Sequence, residues 1–189
     1  MPFGLKKKKA QVTVDRQRQV DICYAVKQLA RGDLKFISGI DSKSAFVLSF
    51  QNVKLAEPRL SQANLEAGIK ERITKGLYFY VAQSQDTNPT EELIQIDIGT
   101  MTIGANGVDF AGKSKHISMN FGDIDSIGHT DNGISISARS QLKRVRFEGA
   151  DGAIVTLKVH DRTYKQTLSG KLMRLLVEAA MKRSLEKRN

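Results

Sequence analysis

The sequence predicts an α+β fold: an antiparallel β-barrel or sandwich capped by a C-terminal helix and preceded by a small α/β N-terminal region. Two observations lead there. Past Gly76 the chain breaks into short runs of alternating apolar residues separated by turn residues, about seven strands at nearly even spacing, as in a meandering antiparallel sheet. After Leu168 the rhythm changes to helical spacing through Leu172, Leu175, Leu176 and Ala179, with Ser169 placed to cap. At 189 residues and 40% hydrophobic content, the chain is long and apolar enough to fill one ordinary core with an appendage.

The elements follow in order. Residues 1–12, with four consecutive lysines at Lys6–Lys9, read as a basic flexible tail. From Asp15 to Leu29, Val20, Cys23, Tyr24, Val26 and Leu29 partly keep helical spacing, with Asp15 as N-cap and Gly32 just past the end. Leu34–Ile40 and Ala45–Phe50 are two β-rich runs around Asp41-Ser-Lys-Ser44, so residues 13–58 read as a helix plus a β-hairpin. Residues 59–75 read as a linking helix, because Leu65, Ile69 and Ile73 recur every fourth residue and Gly76 follows as a stop. That places a domain boundary between Pro58 and Gly76, with residues 76–189 forming the β-rich domain and its C-terminal helix.

Within 76–189 the expected strands are Leu77–Gln83, Leu93–Ile98, and the runs carrying Met101 and Ile103, then Val108 and Phe110, then Ile117, Met119 and Phe121. Further strands hold Ile134 and Ile136, Val145 and Phe147, and Val155, Leu157 and Val159, with Tyr164–Leu168 leading into the helix. Asn106-Gly107, Asp131-Asn-Gly133 and Asp151-Gly152 supply turn residues between them.

Gly99-Thr100, Thr102, Phe110-Ala-Gly112 followed by Lys113 and Lys115, Ile117, Asp123-Ile124, Ser126-Ile127, Asp131-Asn-Gly-Ile134 and the helix from Ser169 stand in a telling order. In these residues the chain resembles bacterial proteins of the pleckstrin-homology-like (PH-like) superfamily, the GRAM-type and bacterial PH branches in particular. The resemblance covers roughly residues 74–188. It implies a PH-like barrel and a binding role, and it transfers no catalytic residue. The chain departs from the pattern at Gly104-Ala-Asn-Gly107, where relatives carry a basic pair in the turn after the threonine strand.

Motifs for chemistry are missing. The glycines are flanked by strand-like runs on both sides, where a phosphate-binding loop needs a strand before it and a helix after it, so they read as turns; no G-x-G-x-x-G dinucleotide spacing occurs, and no serine sits in a G-x-S-x-G elbow. The three histidines, His116, His129 and His160, read as solvated, the first and last on polar strand faces and His129 in a turn. They predict no metal site, and the one cysteine, Cys23, allows neither an intrachain disulfide nor a cysteine-rich zinc site. No R-x-x-x-R arm of the kind that grips cyclic dinucleotides occurs. The expectation is no enzyme, no cofactor, and a cytoplasmic protein that sits peripherally at the inner membrane surface, since no signal peptide or spanning stretch is present.

Charge is the remaining lead. The formal net charge is +10, but residues 76–138 carry 2 Lys+Arg against 8 Asp+Glu, so the basic character belongs to the two ends. Arg139, Lys143, Arg144 and Arg146 cluster in one strand-loop stretch, and Lys113 and Lys115 share an earlier turn. These six are the candidate ligand-binding residues, for a protein partner or an anionic phospholipid surface. The alternative is a nucleic-acid-associated accessory protein using its basic termini, with nonspecific, salt-sensitive contacts.

Overall fold

The structure is a computed structural model that describes residues 3–40, 46–60, 69–74, 77–81, 91–141, 144–149 and 152–186, with 3–13, 60, 69–74, 77–81 and 91–92 described as backbone only. It is α+β: a large antiparallel sheet with a C-terminal helix. Among the described residues two α-helices, α1 (Phe3–Ala30) and α2 (Gly170–Glu186), flank eleven strands. These are β1 (Leu48–Leu60), β2 (Ile69–Thr74), β3 (Leu77–Val81), β4 (Glu91–Ile103), β5 (Gly107–Gly112), β6 (His116–Asn120), β7 (Ile124–Thr130), β8 (Gly133–Ala138), β9 (Val145–Glu148), β10 (Ile154–Val159) and β11 (Arg162–Thr167).

Seven strands form one sheet in the order β6-β5-β4-β1-β9-β8-β7, while β10-β11 and β2-β3 are separate two-stranded sheets. The sheet is open. The expected barrel closure is therefore corrected: the meander stops at β9, and among the described residues the backbone pairing of β10 outside β11 is the bridge from Ile37 to Leu157 and Ser38 N–H donating to the Thr156 carbonyl at 2.8 Å.

Alternation decides which face is buried. Ile134 and Ile136 on β8 face Phe147 and Val145 on β9, and Leu55 on β1 faces Phe147 in turn, so these side chains share one side. All are buried, as are Met101, Ile103, Val108 and Phe110 farther along the sheet. The rings of Phe110 and Phe147 lie 5.7 Å apart, joining the two halves of that core. Helix α2 covers β7 and β8 with Leu172, Met173, Leu176, Val177 and Ala180, and α1 packs beside α2 through Ala25 and Leu29. Leu175, expected in the stripe, is only half-buried; Met173 and Val177 take its place.

Ser169 caps α2 as its position suggests, its Oγ accepting from Leu172 N–H at 3.3 Å. Removing that acceptor in Ser169→Ala is expected to cost about 1 kcal/mol in chemical denaturation. An unchanged midpoint would show that water replaces the cap.

Four expectations for the first 76 residues change. Helix α1 begins at Phe3 rather than Asp15, taking in the stretch read as a flexible tail; lysine, alanine and glutamine are good helix formers, and a charge run alone does not oppose a helix. The run Leu34–Phe36 is a 3-10 turn, because Asp33 Oδ1 accepts from Lys35 N–H at 3.2 Å and bends the chain. Among the described residues Leu34–Ile40 does not pair with Phe46–Phe50 as the expected hairpin, and 41–45, which hold its turn, lie outside the described residues. The linking helix is replaced at Ile69–Thr74 by a strand paired with Leu77–Val81, and 61–68 lie outside the described residues. A four-residue spacing keeps residues on one side of a helix, but also on one side of a strand, since four is twice the strand period.

The boundary after Pro58 also dissolves. Strand β1 runs from Leu48 to Leu60 in the middle of the large sheet, paired with β4 over most of its length and with β9 at Lys54–Ala56. What reads as an N-terminal annex supplies the central strand.

Helix α1 is fixed to the β10-β11 hairpin by a buried carboxylate. Tyr164 donates its hydroxyl to Asp21 Oδ2, Gln17 donates to Oδ1 at 2.7 Å, and Arg162 lies 3.6 Å away. The Tyr164 hydrogen bond, above all, holds the Asp21 carboxyl below the ordinary carboxylate range, and the same bond pushes the Tyr164 phenol up.

Candidate anion-binding site

The six candidate basic residues do not form one cluster. Lys113 and Lys115 lie in the turn between β5 and β6, at one edge of the sheet, whereas Arg139, Arg144 and Arg146 belong to β8, β9 and their connection. Lys143 lies outside the described residues.

Lys113 and Lys115 are exposed, and their backbone is held by a residue the sequence reading passed over. Asp97 of β4 is buried, and its carboxylate accepts from the backbone N–H groups of Ser114 (2.8 Å), Lys115 (2.7 Å), Lys113 (3.3 Å) and its neighbour Ile98 (2.8 Å). These bonds, the one from Ser114 first, draw the Asp97 carboxyl below its ordinary range. An aspartate in the middle of a strand is the one signal that could have drawn notice, because aspartate is depleted there.

Arg139 is tied to the connection between β6 and β7. Its Nη2 donates to the Gly122 carbonyl at 2.6 Å and its Nε lies 3.5 Å from Asp125. That leaves Arg144 and Arg146, two residues apart at the start of β9 and so on the same side of the strand. This side faces away from the helices, opposite to Val145 and Phe147.

Arg146 is half-buried. Its Nε lies 2.5 Å from Glu148 Oε1 as an ion pair without hydrogen-bond alignment, and its Nη2 donates to Thr130 Oγ1 at 3.2 Å. Arg144 is exposed and has no hydrogen-bond or ion-pair partner among the described residues. Its guanidinium lies over Gly128: a Cβ placed on Gly128 would stand 3.2 Å from Arg144 Nη2 and 2.7 Å from Ser135 Oγ.

Register explains the convergence. Gly128 pairs with Ser135, and Ser135 with Arg146, so a row of small residues on β7 and β8 leads to the arginines of β9. The result is an open cavity of about 410 Å³, floored by Gly128 and Ser135 and rimmed by the two arginines, Thr130, Pro58 and Leu93. Pro58 and Leu93 are cross-strand partners from β1 and β4, and Leu93 is 45% exposed, which gives the cationic cavity one apolar wall. A larger cleft of about 600 Å³ between β1 and β10 has no ionisable residue in its lining.

The histidines are dispersed. His116 is exposed on β6, and His160 sits in the turn after β10 with φ of +52°. His129 belongs to β7 rather than to a turn; it pairs with Ile134, which directs it to the helix side, where its Nδ1 lies 3.5 Å from Arg174. Among the described residues no group of three or more His, Cys, Asp or Glu side chains is placed to hold a metal ion, and no helix is long and apolar enough to cross a membrane. Compared with family models, curated proteins and solved structures, the chain matches none.

Proposed function

We propose that the chain is a non-enzymatic interaction module of PH-like type, which docks on a protein partner or an anionic membrane surface through the outer side of β7, β8 and β9. One observation carries this reading: an arginine without a partner among the described residues, Arg144, held over a hydroxyl-bearing floor beside a second arginine. Two guanidinium groups offer planar, bidentate donors to carboxylate or phosphate, and the apolar wall lets a ligand carry more than charge. The antiparallel sheet with its C-terminal helix supports the PH-like part of the reading.

The test is vesicle sedimentation with phosphatidylcholine, with and without phosphatidylglycerol, run beside affinity capture from the native cell, each with wild type and Arg144→Gln. Loss of one charge-assisted contact is expected to weaken whichever binding occurs by roughly tenfold. Arg144 is exposed and holds no hydrogen bond or ion pair among the described residues, so the fold should tolerate the change. Binding to neither, or binding that Arg144→Gln leaves unchanged, removes the support for this face.

A further inference from the structure

We infer that the Arg144 cavity takes a carboxylate from an acidic, aliphatic peptide segment of a partner protein. This rests on the reading of the chain as an interaction module and names what that module recognises. The argument is one of charge and shape. Arg146 is already neutralised in large part by Glu148 at 2.5 Å, so among the described residues Arg144 carries the charge that the cavity leaves uncompensated. Lys54, which stands opposite Glu148 across the β1–β9 pairing, is not part of the cavity lining.

A local excess near one positive charge suits a monoanion. A phosphate monoester would bring close to two negative charges against that single excess. A carboxylate matches the guanidinium fork in both charge and plane. Ser135 adds a hydroxyl group at the floor, able to donate to the same oxygens, whereas the Thr130 hydroxyl already donates to the Gly133 carbonyl at 3.5 Å.

The apolar wall sets the neighbour. Pro58 and Leu93 lie on the β1–β4 side of the cavity, so a peptide with its carboxylate on Arg144 places the adjacent side chain against them. An aliphatic side chain fits that wall, and a polar one loses the contact.

The experiment titrates ¹⁵N-labelled full-length protein with N-acetyl-Asp-Leu-amide, with the uncharged N-acetyl-Asn-Leu-amide, and with inorganic phosphate. The Arg144 Nε–H resonance and the Gly128 and Ser135 amides are followed. The aspartyl dipeptide is expected to shift all three saturably, and the asparaginyl dipeptide and phosphate to bind at least about tenfold more weakly. Arg144→Gln should abolish the shifts of the two amides. Gly128→Val, which fills the floor but keeps both arginines, should do the same.

No saturable shift with the aspartyl dipeptide, equal binding of phosphate, or full binding by Arg144→Gln would each overturn the inference. If the dipeptide fails while Arg144→Gln still weakens vesicle binding, the carboxylate assignment falls and the module reading stands. Should Gly128→Val fail to fold, Arg144→Gln decides alone.

Discussion

Substituting Gly170 by alanine is expected to lower the melting temperature by roughly 10 °C, the equivalent of about 3 kcal/mol in a domain of this size. Helix propensity argues the other way, since alanine is favoured over glycine in a helix by about 1 kcal/mol. Space overrules propensity here. A Cβ on Gly170 would stand 1.9 Å from the Thr130 carbonyl oxygen, 2.3 Å from that of Gly133 and 2.8 Å from the Gly133 nitrogen. All three are backbone atoms of the β7–β8 turn, and Gly170 N–H donates to the Asp131 carbonyl at 2.9 Å in the same turn. To admit a methyl group, either α2 lifts from the sheet or the turn distorts, and both loosen the packing of Leu172, Met173 and Leu176. Lys171→Ala, one residue on and exposed, serves as the control and should leave the melting temperature nearly unchanged. A Gly170→Ala protein that melts with wild type would show the turn to be pliant and the contact unimportant.

Asp97→Ala is the second large effect, with an expected fall in melting temperature of about 5 °C and a blunted response to acid. Four backbone N–H groups lose their acceptor at once, three of them in the Lys113–Lys115 turn. The pH dependence follows from the direction of the shift. A carboxyl whose folded pKa lies below its unfolded value stabilises the protein above the unfolded pKa, near 3.8, and that contribution disappears as pH falls through the folded value. Wild type should therefore lose stability in strong acid through both Asp97 and Asp21, which is shifted in the same direction. Asp97→Ala should retain only the Asp21 share. Thermal melts between neutral pH and strong acid decide the matter: parallel curves for wild type and variant would mean that Asp97 does not titrate with folding. Asp97→Asn, which keeps one acceptor oxygen, should fall between the two proteins.

These residues show where local pattern ends. Ser169 is legible as a cap because its partner is three residues away, whereas Gly170 looks like a weak helix residue until the β7–β8 turn is laid against it. Asp97 finds its partners 16 to 18 residues ahead, in a turn whose lysines attracted attention while the group that shapes it did not. Among the candidate basic residues, spacing in the chain could not separate Arg139, which is bound to Gly122 and Asp125, from Arg144, which has no such partner. The cavity beside Arg144 needs Pro58 from β1 and Leu93 from β4, and nothing in the sequence announces that meeting.

The sequence by itself determined the features set by short-range periodicity: strands β5, β6 and β8 to β10, the turns at Asn106-Gly107 and Asp131–Gly133, and α2 with its cap. Alternation and helical spacing are properties of five to fifteen neighbouring residues, so they survive without a partner in view. Only the tertiary structure decided that β1 is the central strand, that Ile69–Thr74 pairs as a strand, that the sheet stays open, and that Arg144, one of the six candidate basic residues, lies beside an apolar wall without a partner among the described residues. Each of these depends on which edge pairs with which across tens of residues, and a four-residue spacing or a run of lysines is compatible with more than one such pairing.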